Sequence, residues 1–210
     1  MFSASKDNND FKRSDSNRKE ESKPQSNWGN NVELWEAFRS ENESAFVEVY
    51  HTYFQLLFNY AKQLNPDSDS CKDFIQDFFI KLRRNRARLP EVSSIKAFLI
   101  KGLRNLMIDD YNKRSKMPLV EYNDQTHDFH VIPSFETLLI DRQITEDQLN
   151  KITQIIATLP SRQREAMHFF FYNQLSYEEI SEIMNFGSVK AARNLIYRAL
   201  KEIKERFDNI

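Results

Sequence analysis

Apolar residues recur at three- and four-residue steps along most of the chain beyond residue 30, the period of an amphipathic helix. Val32, Leu34, Trp35 and Phe38 begin the pattern, and Phe46, Val49, Tyr50, Tyr53, Leu57, Tyr60 and Leu64 carry it through 43–64. Asn65-Pro66-Asp67 interrupts it, and Asp69 or Ser70 is placed to cap a further helix over 71–89. Pro90 ends that helix, Ser93 or Ser94 can cap the next, and 95–113 then sets Leu99, Leu103, Leu106, Met107 and Tyr111 on one face. Alternation of the kind that marks a strand never extends far enough to matter. The expected fold is all-α.

Periodicity falls between Met117 and Thr145, where Pro118 and Pro133 stand and acidic residues prevail. This stretch is expected to be a flexible linker between two small helical domains, 31–116 and 146–210. Residues 1–30 are rich in Ser, Asn, Asp and Lys and too poor in apolar residues to order themselves, so a disordered arm is expected there.

In the second domain, Leu149, Ile152, Ile155, Ile156 and Leu159 form a helix that Pro160 closes, and Ser161 is placed to cap one carrying Met167, Phe170 and Phe171. Ser176 followed by Glu179 is a capping box, in which hydroxyl and carboxylate satisfy amides left unpaired at a helix start. Ile180, Ile183 and Met184 give a short apolar stripe, and Gly187 supplies a turn. In the run that follows, Ala192, Ile196, Ala199, Leu200, Ile203 and Phe207 line one face. Lys190, Arg193, Asn194, Tyr197, Arg198, Lys201 and Lys204 line the other. Two helices about a tight turn, the second basic on its outer face, make a helix-turn-helix.

Charge sharpens that reading. The whole chain of 210 residues has a formal net charge of -1, yet 188–206 holds six Lys/Arg against two Glu. A second concentration, five Lys/Arg, lies between Lys81 and Arg88. The helix dipole accounts for part of that run and not all of it. On 95–113, Lys101, Arg104, Asn105, Asp109, Asn112 and Lys113 share the outer face, continued by Arg114 and Lys116. Amides beside cations suit base edges and phosphates together.

Other chemistry is poorly served. The chain has a single cysteine, Cys71, which rules out an internal disulfide and fits a reducing compartment. It has no glycine-rich phosphate loop and no nucleophile–base pair at a recognisable spacing, so neither an enzyme nor a cofactor is expected. His127 and His130 lack the partners of a metal site and read as loop residues; His51 and His168 read as structural. No apolar run is long enough to span a bilayer, which places the protein in the cytoplasm.

Three segments carry a family resemblance. Asp73-Phe74-Ile75-Gln76-Asp77-Phe78-Phe79-Ile80-Lys81-Leu82 resembles the core-polymerase-binding helix of bacterial sigma factors. Lys96-Ala97-Phe98-Leu99 with Arg104-Asn105-Leu106 and Asp109 resembles their minus-10 reading segment. Leu159-Pro160-Ser161-Arg162-Gln163-Arg164-Glu165, with Leu175 to Ile180 and Tyr197-Arg198-Ala199-Leu200, resembles their minus-35 helix-turn-helix domain. Together, in order, they resemble the extracytoplasmic-function group of the sigma-70 superfamily. Phe98 stands where that family often has Trp, and Ala192, Asn194 and Leu195 depart from its commonest recognition helix. No additional middle domain or acidic N-terminal domain is expected.

The resemblance implies that the chain binds core RNA polymerase through Asp73, Gln76, Asp77 and Lys81. It assigns the minus-10 DNA to Arg83, Arg84, Arg86, Arg88, Lys101, Arg104, Asn105, Asp109, Lys113 and Arg114. The loop 89–94 would receive an unstacked base. The minus-35 duplex would fall to Lys190, Arg193, Asn194, Tyr197, Arg198 and Lys201. Promoter DNA and core polymerase are the implied partners, and an anti-sigma factor is a further candidate. The alternative is a stand-alone helix-turn-helix regulator, which would leave 73–82 with no use beyond packing.

Overall fold

The computed structural model describes residues 28–114, 129–130 and 146–208, in which helices joined by short loops are the regular structure, with no strand among them. Residues 1–27 of the expected arm, most of the expected linker and His127 lie outside the described residues.

The N-terminal unit holds α1 (Asn31–Arg39), α2 (Glu43–Leu64), α3 (Ser68–Asn85), a 3-10 turn (Arg86–Arg88) and α4 (Ile95–Arg114). Short polar side chains start these helices. Asn30 Oδ1 accepts from the amides of Val32 and Glu33, Asn42 from Ala45, and Ser94 Oγ from Ala97 at 3.2 Å. α3 begins three residues before the expected start, because Asp67 is the cap: its carboxylate takes the amides of Asp69 and Ser70 and the Ser70 hydroxyl. Those bonds, that from the Ser70 hydroxyl first, hold the Asp67 carboxyl below its ordinary range.

α2, α3 and α4 pack around Trp35, Phe38, Leu57, Tyr60, Ile75, Phe79, Leu99 and Leu103. At one crossing α4 comes so close to α3 that a Cβ on Gly102 would sit 2.7 Å from the ring of Phe78. Tyr111, expected inward, is 45% exposed, and Val32, which begins the helical pattern, is 56% exposed.

The C-terminal unit holds α5 (Glu146–Ala157), α6 (Ser161–Met167), a π-helical turn (His168–Tyr172), α7 (Tyr177–Ile183) and α8 (Val189–Asp208). The capping box on α7 forms as expected, with the Glu179 amide donating to Ser176 Oγ and the Ser176 amide to Glu179 Oε2 at 2.7 Å. Two expectations fail. Ser161 does not cap α6; Pro160 holds that position, and the buried Ser161 hydroxyl instead accepts from the amide of Phe129 at 2.9 Å. The turn between α7 and α8 is made by Asn185 at φ 52°, with Gly187 outside the left-handed region. Asparagine tolerates that conformation better than most residues, so the glycine is not required for it. Leu200, expected on the apolar face of its helix, is exposed, as is Phe171.

The two units do not stand apart. α7 packs against α4, and one continuous apolar core runs from Trp35 through Tyr60, Phe129 and Phe169 to Ala199.

Candidate nucleic-acid and polymerase interfaces

α3 buries Cys71, Ile75, Phe78, Phe79 and Leu82 and turns its other face to solvent. Asp73, Gln76, Asp77 and Lys81 all lie on that exposed face. Ile80 shares it at 54% exposure, an apolar residue that the acidic and polar pattern did not single out. Burial keeps Cys71 inert as well, pushing its thiol pKa up to about 11.

The basic end of α3 divides. Arg84 and Arg88 are exposed as expected. Arg86 is not: it is 9% exposed, and its Nη2 donates to Glu43 Oε1 at 2.8 Å. Arg83 reaches the other Glu43 oxygen at 3.0 Å and lies over the Phe46 ring. The hydrogen bond from Arg86 is the main reason the Glu43 carboxyl sits below its ordinary range. Glu43 opens α2, 43 residues away in sequence, so helical spacing around Arg86 could not reveal its partner.

The loop 89–94 is held from outside. Trp35 Nε1 donates to the Pro90 carbonyl at 2.9 Å, and Arg39 pairs with Glu91 at 3.5 Å. The Trp35 ring also meets Phe98 edge-on with centroids 5.2 Å apart. A loop with so few regular hydrogen bonds gains its shape from these contacts. The role of Trp35 was hidden in its helical periodicity.

α4 presents Asn105, Asp109 and Lys113 to solvent and leaves Lys101 half-buried. Arg114 closes the helix, and its side chain lies outside the described residues. Arg104 departs from expectation. It is 2% exposed and donates from Nε to Glu165 Oε1 at 2.9 Å and from Nη2 to Glu165 Oε2 at 3.1 Å. Tyr60 donates its hydroxyl to the same Oε1 at 2.7 Å. Lys96, at the start of α4, donates to the Asn173 carbonyl at 2.8 Å. Glu165 belongs to the Leu159–Glu165 motif, but nothing in its spacing marked it as the partner of a cation on another unit.

A cleft of about 780 Å³ opens beside these bonds. Lys101, Asn105 and the 89–94 loop form one wall; Ser176, Glu178, Glu179 and Glu182 of α7 form the other.

On α8, Ala192, Ile196 and Ala199 are buried, and Lys190, Arg193, Asn194, Tyr197, Arg198 and Lys201 are exposed along the outer face. Tyr197 is 67% exposed, a large ring left in water. Arg193 lies over the Tyr177 ring with 5.2 Å to the centroid, which steadies the guanidinium near the N-terminal end of the helix. Lys201 pairs loosely with Glu205 at 3.6 Å, and such an exposed pair holds the lysine weakly.

Known proteins place both units. The Sigma-70 region 2 family model matches residues 49–117, and the Sigma-70, region 4 model matches 149–203. RNA polymerase sigma factor YlaC of Bacillus subtilis is 22% identical over 165 residues, covering 79% of this chain and 93% of that protein. ECF RNA polymerase sigma factor SigM of the same organism is 22% identical over 162 residues, covering 77% and 94%. Among solved structures, CnrH in complex with the cytosolic domain of CnrY aligns with a TM-score of 0.56 at 18% identity, over 84% of this chain and 96% of that one. RpoE in complex with the anti-sigma factor NepR from Bartonella quintana aligns with a TM-score of 0.53 at 19% identity, over 78% and 96%. These likenesses establish the fold. With region 2 and region 4 matched in order on one all-helical chain, the protein belongs to the extracytoplasmic-function group of the sigma-70 family, the factors that direct RNA polymerase to promoters.

Proposed function

We propose that this chain divides the work of a sigma factor among three surfaces. The exposed face of α3, with Asp73, Gln76, Asp77 and Lys81 around Ile80, docks on core RNA polymerase. A mixed polar face with one apolar residue suits a contact that must later be released. Arg84, Arg88, Lys101, Asn105, Asp109 and Lys113, with Arg104 once freed, face the minus-10 DNA, and the 89–94 loop takes an unstacked base. Capture of such a base offsets an unpairing cost of a few kcal/mol, which couples recognition to strand opening. α8 engages the minus-35 duplex, mostly through phosphates, with Asn194 and Arg198 able to reach base edges.

The observation that carries this reading is the outer face of α8. Lys190, Arg193, Asn194, Arg198 and Lys201, with the exposed Tyr197, line one side of the second helix of a helix-turn-helix, on a chain of net charge -1. A protein so close to neutral lacks a general grip on DNA, so its binding is local and depends on polymerase. The chain then acts without catalysing a reaction, in the cytoplasm, where polymerase and promoter are. Among the described residues no helix is long and apolar enough to cross a membrane.

Run-off transcription from a genomic promoter library tests it, using core polymerase with and without the protein. New transcripts that disappear with Asp77→Arg, while circular dichroism stays unchanged, are the expected result. Specific duplex binding by the protein alone, with no core-dependent initiation, would instead support a stand-alone regulator.

A further inference from the structure

The loop 89–94 is pinned at its ends by its own neighbours and between them by α1. Leu89 closes the 3-10 turn, its amide donating to the Arg86 carbonyl at 3.1 Å, and Ser94 caps α4. Pro90 has no amide, so its backbone can be held there only through the carbonyl. Among the described residues, the polar contacts that reach 90–93 come from α1: Trp35 Nε1 to the Pro90 carbonyl, and Arg39 to Glu91. The two are unequal. The Glu91 side chain is 85% exposed, and a pair so open to water holds weakly. Trp35 is 2% exposed, and its ring stacks on the buried Phe38 with centroids 5.1 Å apart, so its N–H projects from a fixed base. An indole N–H this deep in protein is costly to leave without a partner, which keeps the bond to Pro90 made.

Packing alone does not fix the loop. A hollow of about 280 Å³ lies between Val32, Trp35 and Glu36 of α1 and Glu91, Val92 and Ser93 of the loop. The loop therefore spans open space, and Trp35 is the strut at one end of the span. The same indole meets Phe98 edge-on, and Phe98 shares one wall of the larger cleft with the loop, Lys101 and Asn105. One buried side chain thus ties the loop to the α4 groups beside it.

We propose that Trp35 is a positioning residue for base capture: its N–H holds the loop at the spacing from Phe98 and Asn105 at which a single unstacked base enters and is discriminated. The proposal rests on the reading of the 89–94 loop as the receiver of that base. Capture has to offset the cost of unpairing, and a loop free to sag into the hollow would have to be ordered first. The tether removes that ordering cost before the strand arrives. A receiver of variable shape also admits more than one base, so the tether supports discrimination as well as opening. α1 then takes part in promoter reading without touching DNA through Trp35.

The test uses holoenzyme assembled from core polymerase and the full-length chain, on a promoter recovered from the run-off library and on its single-base variants across the minus-10 element. Trp35 is replaced by benzothienylalanine, which keeps the bicyclic shape and puts sulfur in place of the N–H, and in parallel Trp35→Phe is made. Permanganate reactivity of unpaired thymines reads strand opening, run-off yields across the promoter variants read base preference, and thermal unfolding reads stability. Loss of the N–H is expected to lower strand opening about fivefold, the factor one net hydrogen bond supplies, and to flatten preference at one minus-10 position by a similar factor. Affinities for core polymerase and for the minus-35 duplex should stay at the wild-type level. Wild-type opening and preference in the benzothienylalanine protein would overturn the proposal. An equal loss on every promoter variant would overturn it too, because that marks a merely structural role. Val92→Ala/Ser93→Ala alters the loop itself and separates the two readings. If it changes base preference while loss of the N–H does not, the tether falls and the role of the loop stands. If it changes preference at no position, the loop does not read a base and the proposal falls with that reading.

Discussion

Arg104 and Glu165 lie 61 residues apart in sequence and form a two-pronged ion pair, at 2.9 and 3.1 Å, with almost no exposure of either side chain. Tyr60 completes the carboxylate's shell from a third helix. Removing one member strands a buried charge, whereas removing all three together does not. Arg104→Met is expected to destabilise the closed protein by about 3–5 kcal/mol. The triple change Arg104→Met/Glu165→Leu/Tyr60→Phe is expected to cost less than Arg104→Met alone. Urea unfolding of the variants checks both, and a triple variant weaker than the single would refute the account.

Gly102 is required by contact and not by backbone conformation. A methyl group there meets the Cε2 and Cζ atoms of Phe78 at 2.7 Å, and that ring is itself buried between helices. Gly102→Ala is expected to lower stability by about 1–3 kcal/mol despite the better helix propensity of alanine. Phe78→Leu in the same chain should recover part of the loss, which thermal unfolding would reveal.

His168 makes stability depend on pH. Burial holds its pKa down at about 4, against the ordinary 6.5, and neighbouring Glu165 only partly opposes the shift. Its ring stacks on Tyr172 and lies near Tyr60 and Phe129. Between those two values the unfolded chain binds a proton that the folded chain refuses, so stability rises with pH across the window and levels off above it. The contribution lost on going from about pH 6.5 to about pH 4 is about 3 kcal/mol. Unfolding midpoints at pH 7 and pH 5 should differ less for His168→Phe than for the wild type.

The capping box on α7 supports a helix of only seven residues, which has little stability of its own. Ser176→Ala removes the acceptor of the Glu179 amide and is expected to cost about 1 kcal/mol. Ser176→Asp should retain most of the stability, since a carboxylate also accepts that amide and suits a helix start.

On α8, Arg198 is assigned to the DNA backbone or a base edge and Ile196 to the core. Arg198→Ala is expected to leave thermal stability alone and to weaken promoter binding by the polymerase complex. If the contact is to phosphate, the slope of binding against salt falls by about 1. A change in promoter preference at constant slope would mark a base contact instead.

Helix positions, the helix-turn-helix and the exposed faces of α3 and α8 were all legible along the chain. Each rests on residues three or four apart, and helical geometry turns that spacing directly into a shared face. The caps at Asn30, Asn42 and Asp67 obey the same local rule, although Asp67 had been passed over for residues slightly later in the chain. Periodicity could say that Arg86 and Arg104 lie away from the aliphatic stripe. It could not say that Glu43 and Glu165 would be brought to meet them. An outward cation reads the same in sequence whether it faces water, DNA or a carboxylate from a distant helix. Ser161, Trp35 and Phe129 gain their partners in the same way, across separations that no local pattern encodes. The sequence by itself determined the helices and the family. Only the tertiary structure decided which cations remain available and that one unit covers the α4 surface of the other, because those outcomes depend on burial and pairing between segments far apart in the chain.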